Sequence, residues 1–147
     1  MQAQDVMNRA VITIRPHMPV GAAAALLVAR GVTSAPVVTA EGMLRGIVSE
    51  VDLLRAQSTA AQGATEHAET AADVMTPQPV TVRPTDELSD VAAVLLDHGI
   101  RAVPVVDGER LVGILSRRDV LSSIAQESPT PSRSGGGGGG RPLAKTA

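Results

Sequence analysis

No cysteine, phenylalanine, tryptophan or tyrosine occurs anywhere in this chain of 147 residues. Without cysteine there is no disulfide, no thiolate nucleophile and no cysteine-ligated metal, a composition compatible with a reducing cytoplasm, which is the expected location. Without aromatic rings there is no platform on which single-stranded nucleic acid could stack. The core has to be built from Val, Leu, Ile, Ala and Met. An excess of positive charge is missing too: the formal net charge is −2, so the basic footprint of a nucleic-acid-binding domain is absent. The apolar run at residues 20–28, VGAAAALLV, has the length of a signal-peptide core but is too short for a bilayer, which takes about 20 residues. His17, His67 and His98 share no metal-ligand spacing. Neither a P-loop, a GxGxxG nor a supported Ser/His/Asp arrangement is present. These absences point away from an enzyme, a metal site, nucleic acid and a membrane segment.

What the chain does contain is a duplication. Asp5-Val6-Met7 recurs as Asp73-Val74-Met75, 68 positions later. The same offset pairs Thr13 with Thr81, Arg15-Pro16 with Arg83-Pro84, Gly31 with Gly99, and Pro36-Val37-Val38 with Pro104-Val105-Val106. One residue is then dropped, and Gly46-Ile47, Ser49 and Asp52 match Gly113-Ile114, Ser116 and Asp119 at an offset of 67. The apolar run falls inside this pattern, opposite residues 88–96, so it reads as an Ala-rich buried helix. Two units are too few for a solenoid. A lone lobe would bury only about 60% of its unfolded surface and be marginal, so the copies should share one core.

The second copy is the cleaner. Val80-Thr81-Val82 reads as a short strand, and Thr85-Asp86-Glu87 as a helix start with Thr85 at the N-cap. Leu88, Val91, Ala92 and Leu95 form one apolar stripe, and Gly99 sits where a helix end wants positive φ. Val103 to Val106 is a strand, Asp107-Gly108-Glu109 a tight turn, and Leu111 to Leu115 the returning strand. Ser116 opens a second helix through Ile124. The order strand-helix-strand-strand-helix repeats in the first copy, giving an α/β (α+β) fold with units at 1–60 and 73–125. Between them lies a connector at 61–72, readable as helix or flexible link, and after them a Pro/Ser/Gly-rich tail at 126–147 with no means of forming a core. Met7 and Met75 recur at the opening helices and read as packing residues.

Each copy also carries Gly-Ile-x-Ser-x-x-Asp at a strand-to-helix junction. On spacing alone, Ser followed three residues later by an acid resembles a capping box, although the box usually takes Glu or Gln and Asp is short for the reach back. The junctions differ in charge. Arg117 and Arg118 stand in the first turn of the second, where the helix dipole disfavours cations by about 0.3–1 kcal/mol each unless an anion sits there. The bland alternative leaves both arginines in solvent. The first junction has Glu50-Val51, which suits the dipole but would repel phosphate.

These motifs make the family legible. The segment DVMTPQPVTVRPTDELSDVAAVLLDHGIRAVPVVDGERLVGILSRRDVL resembles a CBS motif, and DVMNRAVITIRPHMPVGAAAALLVARGVTSAPVVTAEGMLRGIVSEVDLL resembles a more drifted one. The resemblance implies a pseudo-twofold pair packed through its sheets, a Bateman module. It further implies two clefts that bind adenine nucleotides or adenosyl compounds (AMP, ADP, ATP or S-adenosylmethionine as regulatory ligand, with no cofactor required). Homodimerisation and regulation of a separate effector protein are also implied. Within that architecture the acid of each Ser-x-x-Asp points into a cleft, where a carboxylate accepts from both ribose hydroxyls at about 1.5–3 kcal/mol per charged hydrogen bond. The Ser and the helix N-terminus seat a phosphate. Carried over, Ser116, Arg118 and Asp119 would face Thr13 and Thr33-Ser34-Ala35-Pro36, with Arg117 a further binding candidate by its charge in the same first turn. Ser49 and Asp52 would face Thr81 and Arg101-Ala102-Val103-Pro104, with Arg101 supplying the phosphate contact that Glu50 denies. Ala35, Val103 and the prolines are ordinary core residues on either reading. The competing class is a ligand-free dimerisation or docking scaffold.

Overall fold

The computed structural model describes residues 1–61 and 70–127; the middle of the expected connector and nearly all of the expected tail lie outside them. In chain order the elements are α1 (Ala3–Val6), α2 (Val20–Arg30), β1 (Ser34–Val38), β2 (Leu44–Ser49), α3 (Glu50–Ala61), α4 (Ala71–Val74), β3 (Thr76–Pro77), α5 (Leu88–Asp97), β4 (Ala102–Asp107), β5 (Arg110–Ser116) and α6 (Arg117–Glu127). The helix-strand-strand-helix part of the order expected for each copy is present, with α3 carrying helix up to Ala61.

Local chemistry explains most boundaries. Gly31 at φ 65° and Gly99 at φ 62° adopt the left-handed conformation just past α2 and α5, which costs glycine little and other residues about 1–2 kcal/mol. Leu88, Val91 and Leu95 are buried and Ala92 half-buried, so the stripe of α5 faces its core. The β4–β5 hairpin turns on Gly108 at φ 68°, followed by Glu109 at negative φ, the pattern of a type II′ turn. Both hairpins carry an irregularity at the same repeat position, between Val37 and Val38 and between Val105 and Val106.

Two expectations need correction. Thr85 does not cap α5, which begins at Leu88 after Glu87. Residues 83–86 form a turn instead, closed by Arg83 N–H donating to Asp86 Oδ2 at 2.8 Å, and the Leu88 N–H is satisfied by the Met1 carbonyl at 3.0 Å. Val80-Thr81-Val82 is not a strand either. Only Val82 pairs, in a parallel bridge with Val105, as Ile14 does with Val37. Nearby Pro79 and Pro84 lack the N–H groups that a longer ladder needs.

The copies do not share the single core expected of them: each lobe has its own, and the two are tied together because they exchange their opening segments. Ala3 and Met7 are buried with Val82, Val91, Val105 and Leu115 in the core of the second lobe. Ala71 is buried with Ile14, Leu27, Val37 and Val48 in the core of the first. Each short helix therefore docks on the copy it does not precede in sequence. Met7 and Met75 close these helices as C-caps, not as opening residues, and they lie over strand glycines. A Cβ built on Gly113 would meet Met7 Sδ at 2.6 Å, and one on Gly46 would meet Met75 Sδ at 2.6 Å. The backbone follows: β3 pairs antiparallel with β2, and Asn8 pairs with Ile114 in the equivalent place. The hairpin tips also meet, where Leu44 N–H donates to Glu109 O at 2.9 Å and Leu111 N–H to Gly42 O at 3.0 Å.

Candidate ligand-binding site

The strand-to-helix junctions fold as capping boxes. At the first, Asp52 Oδ2 accepts from the Ser49 N–H and from Ser49 Oγ, both at 2.9 Å, while the Asp52 N–H donates back to Ser49 Oγ at 3.2 Å. At the second, Asp119 Oδ2 accepts from the Ser116 N–H at 2.9 Å and the Asp119 N–H donates to Ser116 Oγ at 3.1 Å. Aspartate thus makes the reach that its short side chain had put in doubt. The hydrogen bonds described for each acid all fall on Oδ2, so Oδ1 keeps its accepting capacity. Both acids are half-buried.

A cavity of about 590 Å³ lies between the lobes, within the usual range of about 300–1,000 Å³ for small-molecule sites. The first copy contributes Thr33, Ser34, Ile47 and the junction Ser49-Glu50-Val51-Asp52. From the other side come Pro79, Val80, Ile100, Arg101, Ala102, Pro104 and Ile114. Several lining residues are repeat partners: Thr33 with Arg101, Ser34 with Ala102, Ile47 with Ile114. The cavity consequently straddles the internal pseudo-twofold and extends toward Asp52. Its lining mixes aliphatic side chains such as Ile47, Val80, Ile100 and Ile114 with polar ones such as Thr33, Ser34 and Ser49.

Of the residues singled out in the sequence, Thr33, Ser34, Ser49, Asp52, Arg101, Ala102 and Pro104 line this cavity together. Strand alternation separates Ala35 and Val103 from the rest of their runs, but not Pro36, which shares the face of Ser34 without lining the cavity. Val103 and Ala35 face the two cores and are buried there, and Pro36 is buried as well. Thr13 is half-buried and Thr81 exposed, and neither lines the cavity. Asp119 borders a different hollow, with Met1, Asp5, Val6, Ser122, Ser123 and Gln126. Ser116, Arg117 and Arg118 line neither space. Arg117 instead braces a wall of the inter-lobe cavity: its Nε donates to Ile100 O at 2.8 Å and its N–H to Arg101 O at 2.8 Å. Ile47, Ile114, Pro79, Val80 and Ile100 were not expected at the site. The period-2 alternation that puts Ser49 toward the cleft also puts Ile47 there, and this would have found it. Among the described residues no group of three or more His, Cys, Asp or Glu is placed to hold a metal, and no helix is long and apolar enough to cross a membrane.

The CBS domain matches twice, over residues 3–59 and 71–126. The chain belongs to the CBS-domain family, as a tandem pair. The chloroplastic CBS domain-containing protein CBSX1 of Arabidopsis thaliana is 31% identical over 138 residues, covering 77% of this chain. The chain spans 58% of that relative's length. The crystal structure of CBSX2 in complex with AMP superposes with a TM-score of 0.79 at 33% identity, covering 87% of this chain and 98% of that one. The CBS domain pair of MJ0100, in complex with 5′-methylthioadenosine and S-adenosyl-L-methionine, superposes with a TM-score of 0.71 at 25% identity, covering 86% and 98%. CBS pairs similar to this one thus bind adenosine-containing ligands.

Proposed function

We propose that this CBS pair is a regulatory ligand sensor that binds an adenine nucleotide or adenosyl compound in the inter-lobe cavity and acts on a separate partner protein. The observation that carries the reading is the convergence, in one cavity of about 590 Å³, of Asp52 from one copy and Arg101 from the other. In this pose Asp52 Oδ1 accepts from the ribose and Arg101 meets the 5′ substituent. The base lies against Ile47, Ile114 and Pro104, an aliphatic sandwich in place of the missing rings. A ligand that touches both lobes favours one inter-lobe arrangement, and coupling of about 1–3 kcal/mol is enough to regulate. The AMP complex of CBSX2 and the adenosyl complexes of MJ0100 support the ligand class by likeness.

Homodimerisation belongs to the same proposal. Val28 (82% exposed), Leu96 (73%), Leu54 (68%) and Leu121 (64%) stand on the outer helices at repeat-equivalent places. A symmetric pair of apolar helical faces suits an isologous contact with a second copy. The competing docking-scaffold reading is favoured by one observation: each acid already has a structural role, closing a capping box through Oδ2. Titration calorimetry with AMP, ADP, ATP and S-adenosylmethionine separates the two. The sensor reading expects binding that Asp52→Ala removes, and silence from all four with folded protein leaves the scaffold.

A further inference from the structure

The charges around the cavity narrow the ligand further. Among the described residues that line it, Arg101 is the one cation and Glu50 and Asp52 are the two acids. Arg117, whose backbone N–H bonds to the Arg101 carbonyl, is held through its side chain on the Ile100 carbonyl and does not line the space. Glu50 is the first residue of the twelve-residue helix α3, and its N–H is taken by the Thr33 carbonyl at 2.9 Å. A phosphate chain running along this helix start would meet neither that N–H nor an uncompensated dipole. It would meet a carboxylate already standing in the position that the dipole favours for an anion. Arg101 can pair with one phosphate. Any further phosphate must lie near Glu50 with no second cation among the described lining residues to offset it, and like charges at such range repel.

We infer that the cleft takes an adenosyl ligand carrying at most one phosphate, with Glu50 as the residue that excludes di- and triphosphates. The inference rests on the proposed binding reading and specifies its ligand. Exclusion by a misplaced like charge is a common route to specificity. Because Glu50 is exposed, the discrimination should shrink as salt rises.

The test is calorimetry at low ionic strength without divalent metal, titrating AMP, ATP and 5′-methylthioadenosine into the full chain. AMP should bind at least tenfold tighter than ATP. Glu50→Gln should narrow that gap at least threefold by improving ATP, with AMP little changed, and Glu50→Arg should narrow it more. Arg101→Gln should weaken AMP about tenfold and leave 5′-methylthioadenosine as it was, which a merely unfolded variant could not do. ATP binding as tightly as AMP, or Glu50→Gln moving both nucleotides alike, would overturn the inference while leaving the binding reading intact. If no adenosyl compound binds, both fall.

Discussion

Glycine at two strand positions is the residue-scale device that lets the lobes interlock. Gly46 and Gly113 are buried and sit under Met75 and Met7. An added Cβ at Gly46 meets Met75 Sδ and the Thr76 carbonyl oxygen, both at 2.6 Å, whereas at Gly113 the closest atoms are Met7 Sδ at 2.6 Å and Cγ at 2.8 Å. Overpacking of this kind costs about 1–3 kcal/mol, so Gly46→Ala and Gly113→Ala should each lower the urea midpoint without changing the slope. The two differ in what can yield. Trimming the methionine relieves Gly113→Ala, whose backbone contact with Asn8 O is 3.1 Å, but not Gly46→Ala, whose clash includes backbone. A double-mutant cycle with Met7→Ala should show coupling, and the cycle of Gly46→Ala with Met75→Ala should show less. Equal coupling in both would contradict this account of the packing. A glycine inside a strand pattern is a signal of close backbone approach, so these contacts were half legible in the sequence. Which atoms approached was not.

The element scale is where sequence and structure part. Helix starts, the Gly31 and Gly99 ends and both hairpins are encoded by residues a few positions apart, and all but the Thr85 cap and the first strand could be read directly. The exchange of α1 and α4 is set by contacts between residues far apart in the sequence, such as Ala3 N–H to Asp86 O at 2.8 Å and Ala71 N–H to Met18 O at 2.8 Å. No local pattern marks such pairing, and the alignment of the repeats assigns Asp5-Val6-Met7 to the wrong lobe. A direct consequence is testable. Removing residues 1–8 strips Ala3 and Met7 from the second core and the Asn8 pairing from Ile114. Hydrogen exchange should accelerate in β5 and α6 while β1 and β2 stay protected. Loss of protection in β1 and β2 instead would show that α1 belongs to its own copy.

At the scale of the whole molecule, the duplication makes a cleft that is similar but not identical on its two sides. The repeat alone put paired sites on the map, and the Ser-x-x-Asp junctions were correctly read as helix starts. What composition did not reveal is that the cavity extends to Asp52, while Asp119 borders the hollow beside the N-terminus. Met1 and Asp5 line that second hollow, and nothing in the repeat pattern marks the difference. The apolar outer faces argue for association on the same scale. Leu54→Glu with Leu121→Glu should shift the sedimentation coefficient from that of a dimer to that of a monomer while leaving the thermal transition cooperative. An unchanged coefficient would move the interface elsewhere.

The most direct measurement of the central claim compares two variants that the repeat treats as twins. Asp52→Ala and Asp119→Ala each lose a capping interaction, so both should be destabilised by a similar amount, about 0.5–2 kcal/mol. In AMP titrations at matched fractions of folded protein, Asp52→Ala should lose binding and Asp119→Ala should retain it. Equal loss in both variants, or full binding by Asp52→Ala, would contradict the account.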